Sequence, residues 1–445
     1  MIKKTVFIFI IGLFSFSIAR GQINPATNFI GVDVSTQPQN ASFNYDSCFA
    51  LGRNLGMSRV GLFQTWTAIE TSPLVYNFSI LDIANIYYPA YNMPVDLTIA
   101  PIATNKLEVP SDLITKAFND SILINRFKKL LDSIKVHIPN ITLSSLIIGS
   151  ESDIYFGTNA KLWSQYTTFY SSVSAYAKTL WPGLKVATEL TFTGLTSQNT
   201  FAQTLNLISD YIGISYYPLN TNFTVKPVST IPTDFAILVD LYSSKPLWFY
   251  QYGYPSSSTC NSSEAQQAQF ISQTFTSWDN YASNIKMIDF TWLHDLDTAK
   301  VNFYARYYGI KDTVFLEYLH TLGLRTWNGK DKAAFIELEC QAKKRGYNNL
   351  NIHCSTGIEE MKNVNANSLK LFPNPAQDYL NIQSSFNFKN AEATIRNSLG
   401  QIVKSISNIN GMNIHIETND FANGLYFIII QNVNRQMTNK FIIEK

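Results

Sequence analysis

Short apolar runs separated by longer stretches of helical period fill the chain from Asn28 to about Lys344. Phe29 to Val34, Ser58 to Phe63, Val95 to Pro101, Leu146 to Gly149, Lys185 to Leu190, Asp210 to Tyr216, Leu247 to Tyr250 and Met287 to Leu293 each read as a strand. Between them, Phe43 to Leu55, Ile122 to Ile138 and Trp163 to Thr179 repeat their apolar residues at helical spacing. Apolar strands alternating with helices mark a parallel sheet covered on its outer face. Eight such repeats predict an α/β protein with a closed (β/α)8 TIM barrel. An open doubly wound sheet is the competing arrangement, and no GxGxxG follows the first strand to support it. Phe315 to Leu322 and Ala333 to Lys344 carry helical period past the eighth strand, so the barrel is expected to end near Tyr347.

The pattern then changes. Residues 348–368 are polar without a strong period and read as a linker. From 369 to 445 short alternating segments follow one another: Leu380 to Gln383, Ala393 to Arg396, Ile402 to Ile406, Asn413 to Glu417, Leu425 to Gln431 and Lys440 to Ile443. They predict a small all-β antiparallel sandwich. At the other end, Met-Ile-Lys-Lys, an apolar stretch from Thr5 to Ile18 and Ala19-Arg20-Gly21 describe a cleavable signal peptide over 1–21, leaving the barrel 22–347. A retained anchor is the alternative, but the apolar stretch is short for a membrane span.

Charge and cysteine usage narrow the function classes. The chain has 34 Lys and Arg against 32 Asp and Glu. Loss of Lys3, Lys4 and Arg20 with the leader leaves 31 cations and a net charge of −1. That balance argues against nucleic acid or an anionic membrane as partner. No later apolar run reaches membrane length, so no span is expected in the mature chain. Cys48, Cys260, Cys340 and Cys354 allow three pairings; Cys340 and Cys354 are near enough to close a loop, and buried free thiols are the other reading. No CxxC or HExxH is present among five His and four Cys, so neither metal nor cofactor is expected.

Two strand ends carry the candidate chemistry. Leu146-Ile147-Ile148-Gly149-Ser150 leads to Glu151, and Leu247-Trp248-Phe249-Tyr250 leads to Gln251 before Gly253 and Pro255 break the run. In a TIM barrel such residues reach the mouth formed by the C-terminal ends of the strands. Gly149-Ser150-Glu151 and Gln251-Tyr252-Gly253-Tyr254-Pro255 resemble the acid/base and nucleophile motifs of retaining glycosidases built on this barrel, each with one substitution. The resemblance implies Glu151 as acid/base and position 251 as the nucleophile's place, here an amide. Gly31-Val32-Asp33-Val34-Ser35 and Ile212-Gly213-Ile214-Ser215-Tyr216-Tyr217-Pro218 resemble the first and sixth strands of family 53 endo-β-1,4-galactanases. By these likenesses, to the retaining barrel glycosidases and to family 53, Asp33, Arg59, Tyr216, Tyr217, Tyr254 and Trp292 are candidate substrate-binding residues. Each also has a structural reading: Arg59 as ion-pair partner of Glu151 or Asp33, Trp292 as a core cap, and at most one of Tyr216 and Tyr217 facing the cleft.

Retention needs two carboxyl groups about 5–5.5 Å apart, and a neutral amide is a poor nucleophile. Asp153, Glu189, Asp295 and Asp297 lie at or just after strands and could serve an inverting route; Asp295 is the preferred alternative base, with turn capping as its competing role. Glu264 follows Ser262-Ser263 in a capping arrangement and is not recruited.

The tail motifs Leu371-Phe372-Pro373-Asn374-Pro375-Ala376, Gly400-Gln401-Ile402-Val403, Gly424-Leu425-Tyr426 and Lys440 to Lys445 resemble the C-terminal sorting domain of type IX secretion cargo from Bacteroidetes. That likeness implies passage through the periplasm to the surface or medium by the type IX secretion machinery. A carbohydrate-binding sandwich is the alternative, but Phe421, Tyr426 and Phe427 suit core positions better. Three functions stay in view: a secreted glycoside hydrolase acting on a polysaccharide or oligosaccharide, a glycan-binding barrel that has lost its nucleophile, and a purely structural exported protein.

Overall fold

The computed structural model describes residues 23–35, 44–350, 354, 369–397, 401–432 and 435–445. The expected signal peptide and most of the expected linker lie outside them. Two compact units separate between Cys354 and Ser355.

The first unit is an eight-stranded parallel barrel. Its strands are β1 (Phe29–Val32), β2 (Val60–Thr65), β3 (Val95–Ala103), β4 (Leu143–Ser150), β5 (Lys185–Ala187 and Glu189–Thr191), β6 (Ile212–Tyr216), β7 (Leu247–Tyr252) and β8 (Ile285–Phe290). One arc runs β2-β3-β4-β5 and the other β5-β6-β7-β8-β1. Strand β5 breaks at Thr188, its first half pairing with β4 and its second with β6. A parallel bridge between Ile30 and Met57 spans the remaining seam.

The outer helices follow from caps and apolar stripes. Helix α1 (Tyr45–Leu55) starts at an Asn44–Ser47 capping box and stops at Gly56 in the left-handed region. Helix α2 (Ser121–His137), capped by Asp120, buries Leu123, Ile124, Phe127, Leu130, Leu131 and Ile134 on one face. Asn159 caps α3 (Ala160–Leu180) in the same way. After β6 come α4 (Ile231–Leu241) and, after β7, α5 (Glu264–Asn280), where the Ser263 side chain accepts from the Gln266 amide. After β8 the chain builds α6 (Thr298–Tyr308), α7 (Thr313–His320) and α8 (Ala333–Lys344). Tyr347 and Asn348 stay on the barrel, the Tyr347 hydroxyl donating to the Asn28 carbonyl and the Asn348 side chain to that of Leu55.

The lower end of the barrel is plugged. Ala187, Tyr211, Trp248 and Met287 are buried there, with Phe29 and Tyr250 against them. Arg59 lies 3.8 Å over the Phe29 ring and 3.5 Å from Asp96. Burial pushes the Asp96 carboxyl up to about 6, against the pull of Arg59 and of Ser145.

Cys340 and Cys354 form a disulfide, and Cys48 and Cys260 are buried free thiols. A ring of about 15 residues is worth about 3 kcal/mol in the chain-entropy picture. Cys354→Ser is therefore expected to lower the melting temperature of the oxidised protein by several degrees, with no effect in reductant, as read by calorimetry.

The second unit is an antiparallel sheet of β9 (Lys370–Phe372), β10 (Tyr379–Asn397), β11 (Ile402–Glu417), β12 (Gly424–Asn432) and β13 (Arg435–Ile443). It runs β9-β10-β12-β13, with β11 also paired to β10. The sequence predicts two short strands where β10 stands and two where β11 stands. Each pair fuses because Asn390, Asn408 and Gly411 take positive φ, bending the chain at register shifts without ending the ladder. Leu380, Ile382, Ile395, Ile428, Ile430 and Phe441 fill its core, and the Phe421 ring packs tilted against Tyr426 at 5.1 Å. No helix among the described residues is long and apolar enough to cross a membrane.

Candidate functional site

Glu151 owes its position to the turn that ends β4. Gly149 has φ of +80°, and a Cβ there would lie 2.5 Å from both the Ser152 and Tyr166 hydroxyls, so only glycine fits. Glu151 itself takes φ 48°, ψ 38°, a conformation rare for a residue with a Cβ. The turn aims its carboxyl across the mouth. Oε2 accepts from the Thr104 hydroxyl (2.7 Å), just beyond β3, and Oε1 from the Ser215 hydroxyl in β6 (2.5 Å).

Gln251, in β7, pairs in register with that same Ser215. Its Oε1 accepts from the Tyr217 hydroxyl at 3.1 Å. Its Nε2 donates to the Ser150 hydroxyl at 3.2 Å, and Ser150 donates on to Glu189 Oε2 at 2.7 Å. Residues 151 and 251 therefore sit at one end of one barrel, linked through Ser215, whose hydroxyl donates to Glu151 and whose backbone pairs in register with Gln251.

Glu189 is the acid the sequence reading passed over in favour of Asp295. It begins the second half of β5 and is 2% exposed, with Oε1 unpartnered. Burial, then the charge of Glu151, pushes its carboxyl up to about 8. Gly213 permits this approach, since a Cβ there would stand 2.6 Å from the Thr188 carbonyl oxygen. Beside it, Asp153 receives the Thr191 amide (2.8 Å) and hydroxyl (2.6 Å). Burial pushes Asp153 up to about 7.

Aromatic side chains from the segment after β8 flank the mouth. Trp292 stacks on Tyr304 at 6.1 Å and Tyr304 on Tyr308 at 5.9 Å, the latter two one turn apart on α6. Tyr318 from α7 meets Tyr217 edge to face at 5.6 Å. Burial first, then the Glu151 charge, raises the Tyr308 and Tyr318 hydroxyls. The Asn105 side chain donates to the Tyr308 carbonyl at 3.1 Å, fastening α6 to the loop after β3. Asp33, at the end of β1, accepts from the Ser35 amide at 2.8 Å. Its carboxyl is raised by burial, opposed by Ser35 and the Trp292 indole.

The other expected residues stand elsewhere. Arg59 was placed inside the second strand, but β2 begins at Val60, so Arg59 precedes the strand and lies at the opposite barrel end with Asp96. Tyr216 projects outward, as strand alternation requires once Tyr217 and Ser215 face the mouth. Its hydroxyl donates to Asp234 on α4 (2.7 Å) and its ring stacks on Tyr252 at 5.2 Å. Tyr254 is buried against Phe270 and donates to the Lys226 carbonyl at 2.9 Å. Asp295 is buried and held by Lys332 Nζ at 2.6 Å. Thr104, Ser150, Ser215, Tyr308 and Tyr318 carried no sequence signal of their own. Among the described residues no group of three or more His, Cys, Asp or Glu could hold a metal ion.

Residues 370–444 match the family described as the secretion system C-terminal sorting domain, so the second unit is a sorting tail that directs export. No match was found among curated proteins. Among solved structures, the chain is similar to an exo-β-1,4-mannosidase from Opitutaceae bacterium strain TAV5 (14% identity, TM-score 0.57, 74% of this chain and 62% of that one). It is also similar to the GH5_18 protein of Bifidobacterium longum subsp. longum in complex with Manβ1-4GlcNAc (14% identity, TM-score 0.55, 71% and 78%). It spans 46% of the length of β-glucuronidase 2 from Bacteroides uniformis, at 11% identity and TM-score 0.49. At these identities the mannosidase and GH5_18 likenesses show the fold, a (β/α)8 barrel, and the family match shows the secretion sorting tail that follows it.

Proposed function

We propose that the barrel is an exported carbohydrate-binding protein of glycosidase ancestry, in which Glu151 occupies the acid/base position and Gln251 that of the nucleophile. Retaining hydrolysis is then impaired. The observation that carries this is the hydrogen bonding of Gln251, which accepts from Tyr217 and donates to Ser150. A carboxylate could not make the second bond, so the mouth is built around an amide.

An inverting route needs a second, ionised acid facing the ligand. Asp295 is committed to Lys332, and Glu189 is buried with its carboxyl pushed up to about 8, which disfavours its ionised form. Binding is therefore favoured over turnover. Trp292, Tyr304 and Tyr308 provide flat apolar surface, with Asp33, Tyr217 and Glu151 as hydrogen-bonding groups, a combination suited to a polysaccharide chain. Galactan is the first candidate, on the likeness of Gly31 to Ser35 and Ile212 to Pro218 to family 53. The tail carries the barrel to the surface or medium by the type IX route.

Affinity electrophoresis in gels containing galactan, mannan or xylan tests the reading. At least one polysaccharide is expected to retard the wild type. Trp292→Ala is expected to weaken that retardation about tenfold, about 1.4 kcal/mol, near the upper value for an aromatic contact. Unretarded migration in all three would leave no support for a glycan-binding mouth.

A further inference from the structure

Glu189 is not explained by the motifs that identify the mouth. Its Oε2 receives the Ser150 hydrogen, the same Ser150 oxygen accepts Gln251 Nε2, and Gln251 Oε1 accepts from Tyr217. The chain of contacts crosses from β5 through β4 to β7 and then to the residue after β6.

We infer that Glu189 is a positioning residue of the mouth: held neutral, it fixes the Gln251 amide through Ser150, and ligand binding is lost when it ionises. The inference rests on the carbohydrate reading only for its ligand half. The groups interacting with Glu189 from the surrounding elements are Glu151 and Asp153 after β4, Asp289 in β8, Tyr217 after β6, Tyr308 on α6 and the neutral Gln251. The charged groups among these are all acidic. None offers a cation to an ionised Glu189, and Oε1 has no donor. On ionisation the adjacent N–H donor is Gln251 Nε2, which already exerts a hydrogen-bonding pull on this carboxyl. The amide would then turn from Ser150 toward Glu189 and give up its contact with Tyr217. A second negative charge would also stand beside Glu151.

The direction follows from the raised carboxyl. With the Glu189 carboxyl pushed up to about 8, its contribution to binding is full well below that value and is lost as pH rises through it. Two measurements test this. Infrared difference spectra of wild type against Glu189→Gln, without ligand, are expected to show a protonated carboxylic acid at pH 6.5 that is absent at pH 10. Affinity electrophoresis in galactan, mannan and xylan gels is expected to show wild-type binding at pH 6.5 weakened at least fivefold at pH 9.5. Glu189→Gln should bind equally at both values. Glu189→Leu, which leaves Ser150 without its acceptor, should bind at least fivefold more weakly at both, with its fold checked by circular dichroism. An unaltered pH profile in Glu189→Gln, or wild-type affinity in Glu189→Leu, overturns the inference. Failure of every polysaccharide to bind wild type overturns the ligand half together with the carbohydrate reading. Absence of the infrared band overturns the neutral carboxyl on its own.

Discussion

Gln251→Glu is expected to gain hydrolysis of an aryl glycoside, and Gln251→Glu combined with Glu189→Gln to gain more. The single substitution puts a carboxyl at the position proposed for the nucleophile, at the same barrel mouth as Glu151. It also gives Ser150 two carboxyl neighbours, since Glu189 already takes its hydrogen. Close, buried carboxyls cannot both ionise cheaply, so part of the population holds a proton on the new group. The double variant exchanges carboxyl and amide across Ser150 and leaves one acid to ionise. Relative to wild type the double variant should be faster by on the order of 10²–10⁴-fold, the range a positioned catalytic group contributes. The single variant should fall about tenfold short of it. Release of nitrophenol from aryl galactosides, mannosides and xylosides measures both, and Glu151→Gln in either background should remove the gain.

Lys332→Met is expected to destabilise the barrel by about 3–5 kcal/mol, because it leaves the Asp295 carboxyl buried without its partner. Lys332 Nζ also donates to the Ser256 hydroxyl and to the Thr321 and Gly323 carbonyls, tying the segments after β7 and β8 together. Burial lowers the lysine and raises the Asp295 carboxyl to about 6, so each group depends on the other. Replacing both, as Asp295→Leu with Lys332→Met, should recover much of the loss, since well-packed apolar pairs often match buried ion pairs. Urea unfolding of the single and double variants separates the cases. Equal loss in both would mean that the backbone contacts, and not the stranded charge, set the cost.

Much of the barrel was legible because its strands are apolar runs ended by Gly, Ser or Pro, and such runs need only local pattern to be read. Residue-level placement depended on more. Arg59 was read into a strand because Ser58-Arg59-Val60 continues toward an apolar run, yet pairing begins at Val60 with Val95. Under either boundary Arg59 stands at the N-terminal end of the strand, so its guanidinium belongs to the lower end with Asp96 and not to the mouth. Alternation showed that Tyr216 and Tyr217 diverge, but which one faced inward depended on the contacts of Ser215 with Glu151. Glu189 was visible as a strand-end acid. Its neighbourhood was not, because β5 breaks at Thr188 and the residues facing it come from distant strands. In the tail, the gaps between the short predicted segments are bends inside long strands, at Asn390, Asn408 and Gly411.

The most direct test compares wild type with Glu151→Gln on the same aryl glycosides, at enzyme concentrations high enough to detect slow turnover. With an amide at position 251, the two proteins should be indistinguishable from each other and from buffer. Wild-type turnover that Glu151→Gln abolishes would contradict the assignment, because another group would then be supplying the second half of the chemistry.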